Sequence, residues 1–384
     1  MHPRVILSVG NFFFSIFSAL VTFILLPYLS LFMPAAYTGF VVAASAIGAV
    51  IFFPFLPRIV ARYGAQQIAL MLALMEMIVL FALAAAPGAV AGILLMAVTI
   101  VMQPFFAYEL DLLLEATVAD TNTTGEVRAL FRTAWSVAAL AAPLLLGALL
   151  ANSDSYGRIF IAAAAMLVPI IILFALRRLP SGPAPHLAHM RDTIICIMHN
   201  RDLAAVTFGN LLLYLFYVWM PLYTPVYLHS VLGISWVDLG WMFSLMLVPY
   251  VLIEYPAGWI ADRYLGDKEL MLAGFLIAGG AAMTFALLTP ATPLFIILII
   301  LVGSRIGSAL IEAMVEAHFF RRVSKRDVNS VSVFRSVWPL SYIIGPVIGS
   351  MILLFGSYQL FFILTGGFIV VAGVISTLLI KDFK

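Results

Sequence analysis

Twelve long apolar runs, parted by short breaks of charge, proline or glycine, fill almost the whole of this 384-residue sequence. They fall at roughly 5–31, 38–57, 66–86, 90–114, 128–151, 157–177, 202–228, 236–259, 269–289, 293–317, 328–355 and 358–380. A helix needs about 20 such residues to cross the hydrocarbon core of a bilayer. The pattern reads as an all-α membrane protein with twelve transmembrane helices. Composition excludes the alternative of a soluble chain, because only 10% of residues are charged and 64% are hydrophobic, against roughly 25% charged in soluble domains. A net charge of +2 gives no reason to expect a nucleic-acid partner.

The breaks set the topology. The connections after spans 1, 3, 9 and 11 are short and nearly uncharged, as in Ala86-Pro87-Gly88-Ala89. The other side carries Arg58, Arg62, Arg177, Arg178, Arg191, Arg201, Arg263, Lys268, Arg321, Arg322, Lys325, Arg326, Lys381 and Lys384, with only Arg158 opposite. The positive-inside rule then places both termini in the cytoplasm, in a cytoplasmic (inner) membrane. The apolar stretch after Met1–Arg4 runs to about Leu31, too long for a signal-peptide core, and is expected to be retained as the first span. Residues 179–200, with Pro180, Pro183 and Pro185, read as a cytoplasmic linker between bundles 1–178 and 201–384.

The two halves repeat. Gly10-Asn11 meets Gly209-Asn210, Tyr28-Leu29 meets Tyr227-Leu228, and Arg62-Tyr63 meets Arg263-Tyr264. Phe131-Arg132-Thr133-Ala134-Trp135 meets Phe334-Arg335-Ser336-Val337-Trp338, and in that register Glu109 falls on Glu312 and Pro143 on Pro346. Parallel six-span repeats are a transporter design, with the solute held between them near mid-membrane.

The stretch Gly258-Trp259-Ile260-Ala261-Asp262-Arg263-Tyr264-Leu265-Gly266-Asp267-Lys268 resembles the loop signature of the major facilitator superfamily. Gly345-Pro346-Val347-Ile348-Gly349 resembles that family's Gly-Pro helix motif. With the twelve-span plan, the resemblance covers the chain. It implies two pseudo-symmetric six-helix bundles, alternating access, and a cytoplasmic gate latched by the signature aspartate and arginine. Arg58, Arg62, Asp111, Glu254, Gly258, Asp262 and Arg263 are the gate candidates. The first-half loop has Ala61 where the signature has aspartate, so the stronger latch is expected in the second half.

Ionisable groups inside a span are costly and usually face a cavity or a partner. Glu109, Arg132, Arg305, Glu312 and Arg335 are therefore candidates for substrate or proton coupling. Arg305, Glu312 and Glu316 share one stripe of span 10, and Arg335, Trp338 and Tyr342 one face of span 11. One reading has Glu109 and Glu312 exchange Arg132, Arg335, a proton and the substrate as the halves rock. The other makes them fixed ion pairs near the inner surface, where snorkelling lowers their cost. Glu76, in a peripheral span, reads as packed against spans 2 or 4. Asn11, Gln103, Trp135, Asn210, Tyr214, Tyr217 and Trp338 are candidates to line the cavity, helix–helix contacts being the alternative. Tyr28, Tyr223, Tyr227 and Trp236, near span ends, read as an interfacial belt.

No phosphate-binding loop supports ATP-driven transport, and no catalytic constellation suggests an enzyme. The single cysteine, Cys196, leaves no disulfide and no cysteine metal site; no cofactor is expected. The leading expectation is a monomeric secondary transporter in the lipid bilayer, moving a small-molecule organic solute and coupled to protons. The alternatives are an uncoupled facilitator and a receptor or lipid-moving protein on the same fold.

Overall fold

The structure, a computed structural model, describes residues 3–86, 88–117, 124–151, 153–180, 190–323 and 328–381. Among them the regular elements are helices alone, with no strand. They are α1 (Pro3–Leu29), α2 (Ala35–Phe52), α3 (Leu56–Tyr63), α4 (Ala65–Ala84), α5 (Ala89–Ala116), α6 (Thr124–Leu150), α7 (Tyr156–Leu176), α8 (Met190–His199), α9 (Arg201–Val226), α10 (Trp236–Met246), α11 (Val248–Arg263), α12 (Asp267–Thr284), α13 (Leu294–Arg322), α14 (Val328–Phe355) and α15 (Tyr358–Leu379). Twelve helical spans are long and apolar enough to cross a membrane, and the chain is a multi-pass membrane protein.

Prolines account for where the helices depart from the expected spans. The second span does not stop at 57; it passes through a short 3-10 turn at Phe53–Phe55 and continues as α3 to Tyr63. Pro54 and Pro57 fall at first-turn positions of those two segments, where the missing N–H costs nothing. Pro249 does the same at the start of α11, so the eighth span is two helices rather than one. Pro221 and Pro225 sit near the end of α9. There the helix opens into a π-helical turn, Tyr227–Val231, because prolines cannot supply the intrahelical donors. The C-terminal part of the segment read as linker is helix α8.

The chain forms two compact units. Unit 1 is Met1–His186 with Ile234–Ser244; unit 2 is Leu187–Gly233 with Leu245–Lys384. In unit 1, α1 is the central helix and packs on α5, α6 and α7, while α4 packs on α5 and α7 and α2 on α5. In unit 2 the central helix is α9, which packs on α13, α14 and α15, and α12 packs on α13 and α15. The α1 and α9 windows are 72% and 61% buried, more than any other span. Large side chains such as Ile78, Leu94 and Ile299 remain exposed on the outer helices, as expected of a surface whose solvent is lipid.

Small residues let backbones approach in unit 2. A Cβ on Gly307 would lie 2.3 Å from the Ala278 nitrogen, and one on Gly279 2.6 Å from the Gly366 oxygen. This is the close packing that replaces hydrophobic driving force between membrane helices. In unit 1 the first turns of α10 press on α6 in the same way, a Cβ on Gly240 meeting the Pro143 oxygen at 2.7 Å.

The residues read as an interfacial belt are instead interior. Tyr28, Tyr223, Tyr227 and Trp236 are at most 4% exposed. Three of them find protein partners for their polar tips. Tyr223 donates to the Pro346 carbonyl at 3.0 Å, Tyr227 to the Phe285 carbonyl at 3.1 Å and Trp236 to Asp154 Oδ1 at 2.9 Å. A satisfied hydroxyl or indole N–H no longer needs the membrane surface.

Candidate functional site

A polar cluster within a span lies in unit 2, on α13. Arg305, Ser308 and Glu312 are spaced three and four apart, so each turn of the helix presents one of them to the same side. The facing residues come from α9 and α11. Tyr217 donates its hydroxyl to Glu312 Oε2 at 2.6 Å, and the Tyr250 and Ser308 hydroxyls share a hydrogen bond of 2.6 Å. The Tyr217 ring packs edge-on against both Tyr214 and Tyr250, with centroids 6.0 Å apart in each case. The Arg305 guanidinium lies over the Phe216 ring, 5.6 Å from its centroid, and the residue is only 3% exposed. It makes no ion pair or hydrogen bond through its side chain among the described residues, and its Nε is buried without an acceptor. Glu312, Tyr214, Tyr217 and Tyr250 are half-buried. The cluster thus sets a buried cation beside hydroxyls that bond to one another and to a half-buried carboxyl.

Unit 1 is arranged differently. Glu109 on α5 is 0% exposed, and neither carboxyl oxygen has a hydrogen-bond partner. Glu76 on α4 is 2% exposed and has no counter-charge, with the Thr99 hydroxyl of α5 beside it. Its helix packs on α5, the fourth span, and on α7, the sixth. Glu76 and Gln103 border one narrow crevice with Phe17, Leu72, Met102 and Phe106, and Ser18 donates to Gln103 Oε1 at 3.0 Å.

The expected carboxylate–arginine pairs do not form here. Glu109 has no partner, and Glu312 is held by Tyr217 while Arg335 makes no ion pair among the described residues. Arg132, Trp135, Arg335 and Trp338 are all exposed on their units, Trp338 resting against Tyr342 at 6.0 Å. Asn11 and Asn210 are buried fasteners. The Asn11 amide donates to the Phe131 carbonyl at 2.9 Å, and the Asn210 amide to the Phe334 carbonyl at 3.0 Å. The sequence repeat therefore has a physical cause: the same amide ties the central helix to the same neighbour in both units.

Of the gate candidates, Arg58, Arg62, Asp111 and Arg263 are exposed, and Gly258 is half-buried with open space where a Cβ would stand. Arg62 stacks on Tyr63 and Arg263 on Trp259, at 5.3 and 5.0 Å. The side chains of Glu254 and Asp262 lie outside the described residues.

A second polar centre is not apparent from the sequence. At the end of unit 2 where α9 begins and α13 ends, His318 is 1% exposed between two aspartates. Its Nε2 lies 3.2 Å from Asp202 Oδ2 and its Nδ1 3.3 Å from Asp267 Oδ2. Arg322 pairs with Asp202, Arg321 lies 3.3 Å from Asp267, and the Lys381 amide donates to Asp202 Oδ1 at 2.6 Å. Four helix ends are tied by this network. Its one legible signal is an acid in the first turn of α9 and of α12, facing the basic last turn of α13. Asp202, Asp267 and His318 are buried at this end of the unit, while Arg263 and Arg321 are exposed.

Residues 206–382 match the sequence profile of the Major Facilitator Superfamily. No functionally curated protein matches the sequence. Among solved structures the chain is similar to the nucleoside transporter NupG, 16% identical, over 99% of each chain and with a TM-score of 0.76. It is similar to a bacterial homologue of the human lysosomal transporter Spinster, inward-facing and unoccupied, at 13% identity over 98% of this chain and 96% of that one, with a TM-score of 0.78. The POT family transporter PepTSo is 14% identical over 98% and 97%, with a TM-score of 0.75. These likenesses establish the fold. The second half of the chain thus carries the sequence pattern of the Major Facilitator Superfamily, and the full length is similar in fold to these transporters.

Proposed function

We propose that this protein is a proton-coupled secondary transporter that carries a small organic solute across the cytoplasmic membrane, working as a monomer with both termini in the cytoplasm. Residues 1–178 and 201–384 are the two bodies that rock about a mid-membrane site. The observation that carries the reading is the α13 cluster. Arg305, Glu312, Tyr217, Tyr250 and Ser308 place a cation, a carboxyl and hydroxyls inside an otherwise apolar span. Intramembrane ionisable groups of this kind mark substrate and proton routes. That the similar solved structures include a nucleoside transporter and a POT family transporter supports a small organic solute.

Glu109 is assigned the coupling proton. A buried carboxyl without a counter-charge sits at least cost as the neutral acid, and taking up or releasing the proton changes what its helix tolerates on either side. Glu312 acts with it from the other half, its hydrogen bond to Tyr217 breaking as the solute enters. Uptake into proteoliposomes with and without an imposed pH gradient tests the reading. Accumulation only with the gradient supports coupling. Equilibration that ignores the gradient removes the proton from the mechanism, and absence of flux for every solute tried favours a receptor.

A further inference from the structure

Arg305 poses a problem that the rest of unit 2 does not solve. It occupies the middle of a membrane-crossing helix and is 3% exposed. Its side chain has no acid and no hydrogen-bond acceptor among the described residues; it rests on the Phe216 ring, beside Tyr250. A guanidinium does not shed its charge, so the group cannot lower its burial cost by deprotonation. A neighbouring aromatic face recovers only part of that cost. The one carboxyl of the cluster, Glu312 two turns along the helix, is turned to Tyr217 instead. Elsewhere in the same unit the acids do pair: Asp202 and Asp267 hold His318, Arg321 and Arg322. Arg305 has no acid among the described residues, whereas Arg321 and Arg322 of the same helix are paired, and this leaves room for an acid from outside.

We infer that the solute carries a carboxylate, and that this carboxylate docks on Arg305. The planar fork of the guanidinium suits a carboxylate in bidentate fashion. Tyr250 and Ser308, whose hydroxyls bond to each other at 2.6 Å, can turn to the remainder of the solute. Tyr250 stands beside Arg305, and its ring packs on that of Tyr217, both residues being half-buried. The charge balance favours a monoanion over a phosphate ester. Among the described residues of the cluster Arg305 is the cation, and Glu312 would repel a second negative charge.

The inference depends on the transporter reading only for the steps after binding. The test uses the full chain in lipid nanodiscs and follows its thermal unfolding. The probes are lactate and benzoate, each against its own amide, with glycerol phosphate as the phosphate ester. Either carboxylate is expected to raise the unfolding temperature while its amide does not. Arg305→Gln is expected to weaken the carboxylate by roughly thirtyfold or more, and Arg305→Lys to retain part of the affinity because it keeps the charge without the fork. Without ligand, Arg305→Gln is expected to unfold at or above the parent temperature, since the charge it removes had no partner. The inference is overturned if neither carboxylate binds, if amides or glycerol phosphate bind equally well, or if Arg305→Gln binds like the parent. A large drop in ligand-free stability also overturns it, by making the arginine structural. Transport of neutral solutes with carboxylates ignored would sink the inference and spare the transporter reading. Carboxylates that bind through Arg305 yet never cross a proteoliposome would do the reverse.

Discussion

The two units share a skeleton and differ in what they do with charge. Asn11 and Asn210 make the same amide-to-carbonyl bond from the central helix, 2.9 and 3.0 Å long. Beyond that fastener the copies part. Unit 1 buries Glu109 and Glu76 with no counter-charge on either carboxyl, and Glu109 with no hydrogen-bond partner at all. Unit 2 engages its acids, Glu312 with Tyr217 and Asp202 and Asp267 with His318 and two arginines. Even the repeated tyrosines diverge: the Tyr28 hydroxyl has no partner, whereas Tyr227 reaches two carbonyls at 3.1 and 3.3 Å. Duplication kept what holds helices together. Divergence fell on the buried acids, Glu109 without a partner in one copy and Glu312, Asp202 and Asp267 engaged in the other.

That contrast can be broken by stability measurements on purified protein. The largest effect is expected from Asp202→Ala, which strands His318 and Arg322 at a buried helix junction and costs about 3–5 kcal/mol. Removing the charge of a buried acid in unit 1, Glu109→Gln, is expected to cost almost nothing, because no partner is lost. Equal losses from the two would erase the distinction between units. Asn11→Ala and Asn210→Ala are expected to cost about 1 kcal/mol each and to agree within about 0.5 kcal/mol. A gap much wider than that would mean the repeated fastener is not equivalent. The smallest effect separates the tyrosines: Tyr227→Phe is expected to lose about 1 kcal/mol and Tyr28→Phe close to none.

Much of the fold is legible in the sequence, for identifiable reasons. A bilayer demands apolar runs of fixed length, so twelve spans can be counted, and a helical period of 3.6 puts Arg305 and Glu312 on one stripe of α13. The repeat is readable because an asparagine and the segment it binds must keep step for one hydrogen bond to form twice. Tyr250 and Ser308 do not stand out, since which helix faces α13 is settled by packing and not by local pattern. Asp202 and His318 lie 116 residues apart, a separation at which no periodicity connects them. The belt reading of Tyr223, Tyr227 and Trp236 fails for the same reason, because their interior partners are supplied by distant segments.

The central claim is that solute movement and proton movement are one event, with Glu109 carrying the proton. Proteoliposomes loaded with a pH-sensitive dye and given an inward gradient of a bound solute measure it directly. The parent protein is expected to change the internal pH as the solute moves, and Glu109→Gln to abolish that change while still binding the solute. Solute flux with no pH change in the parent, or an undiminished pH change in Glu109→Gln, would contradict the account.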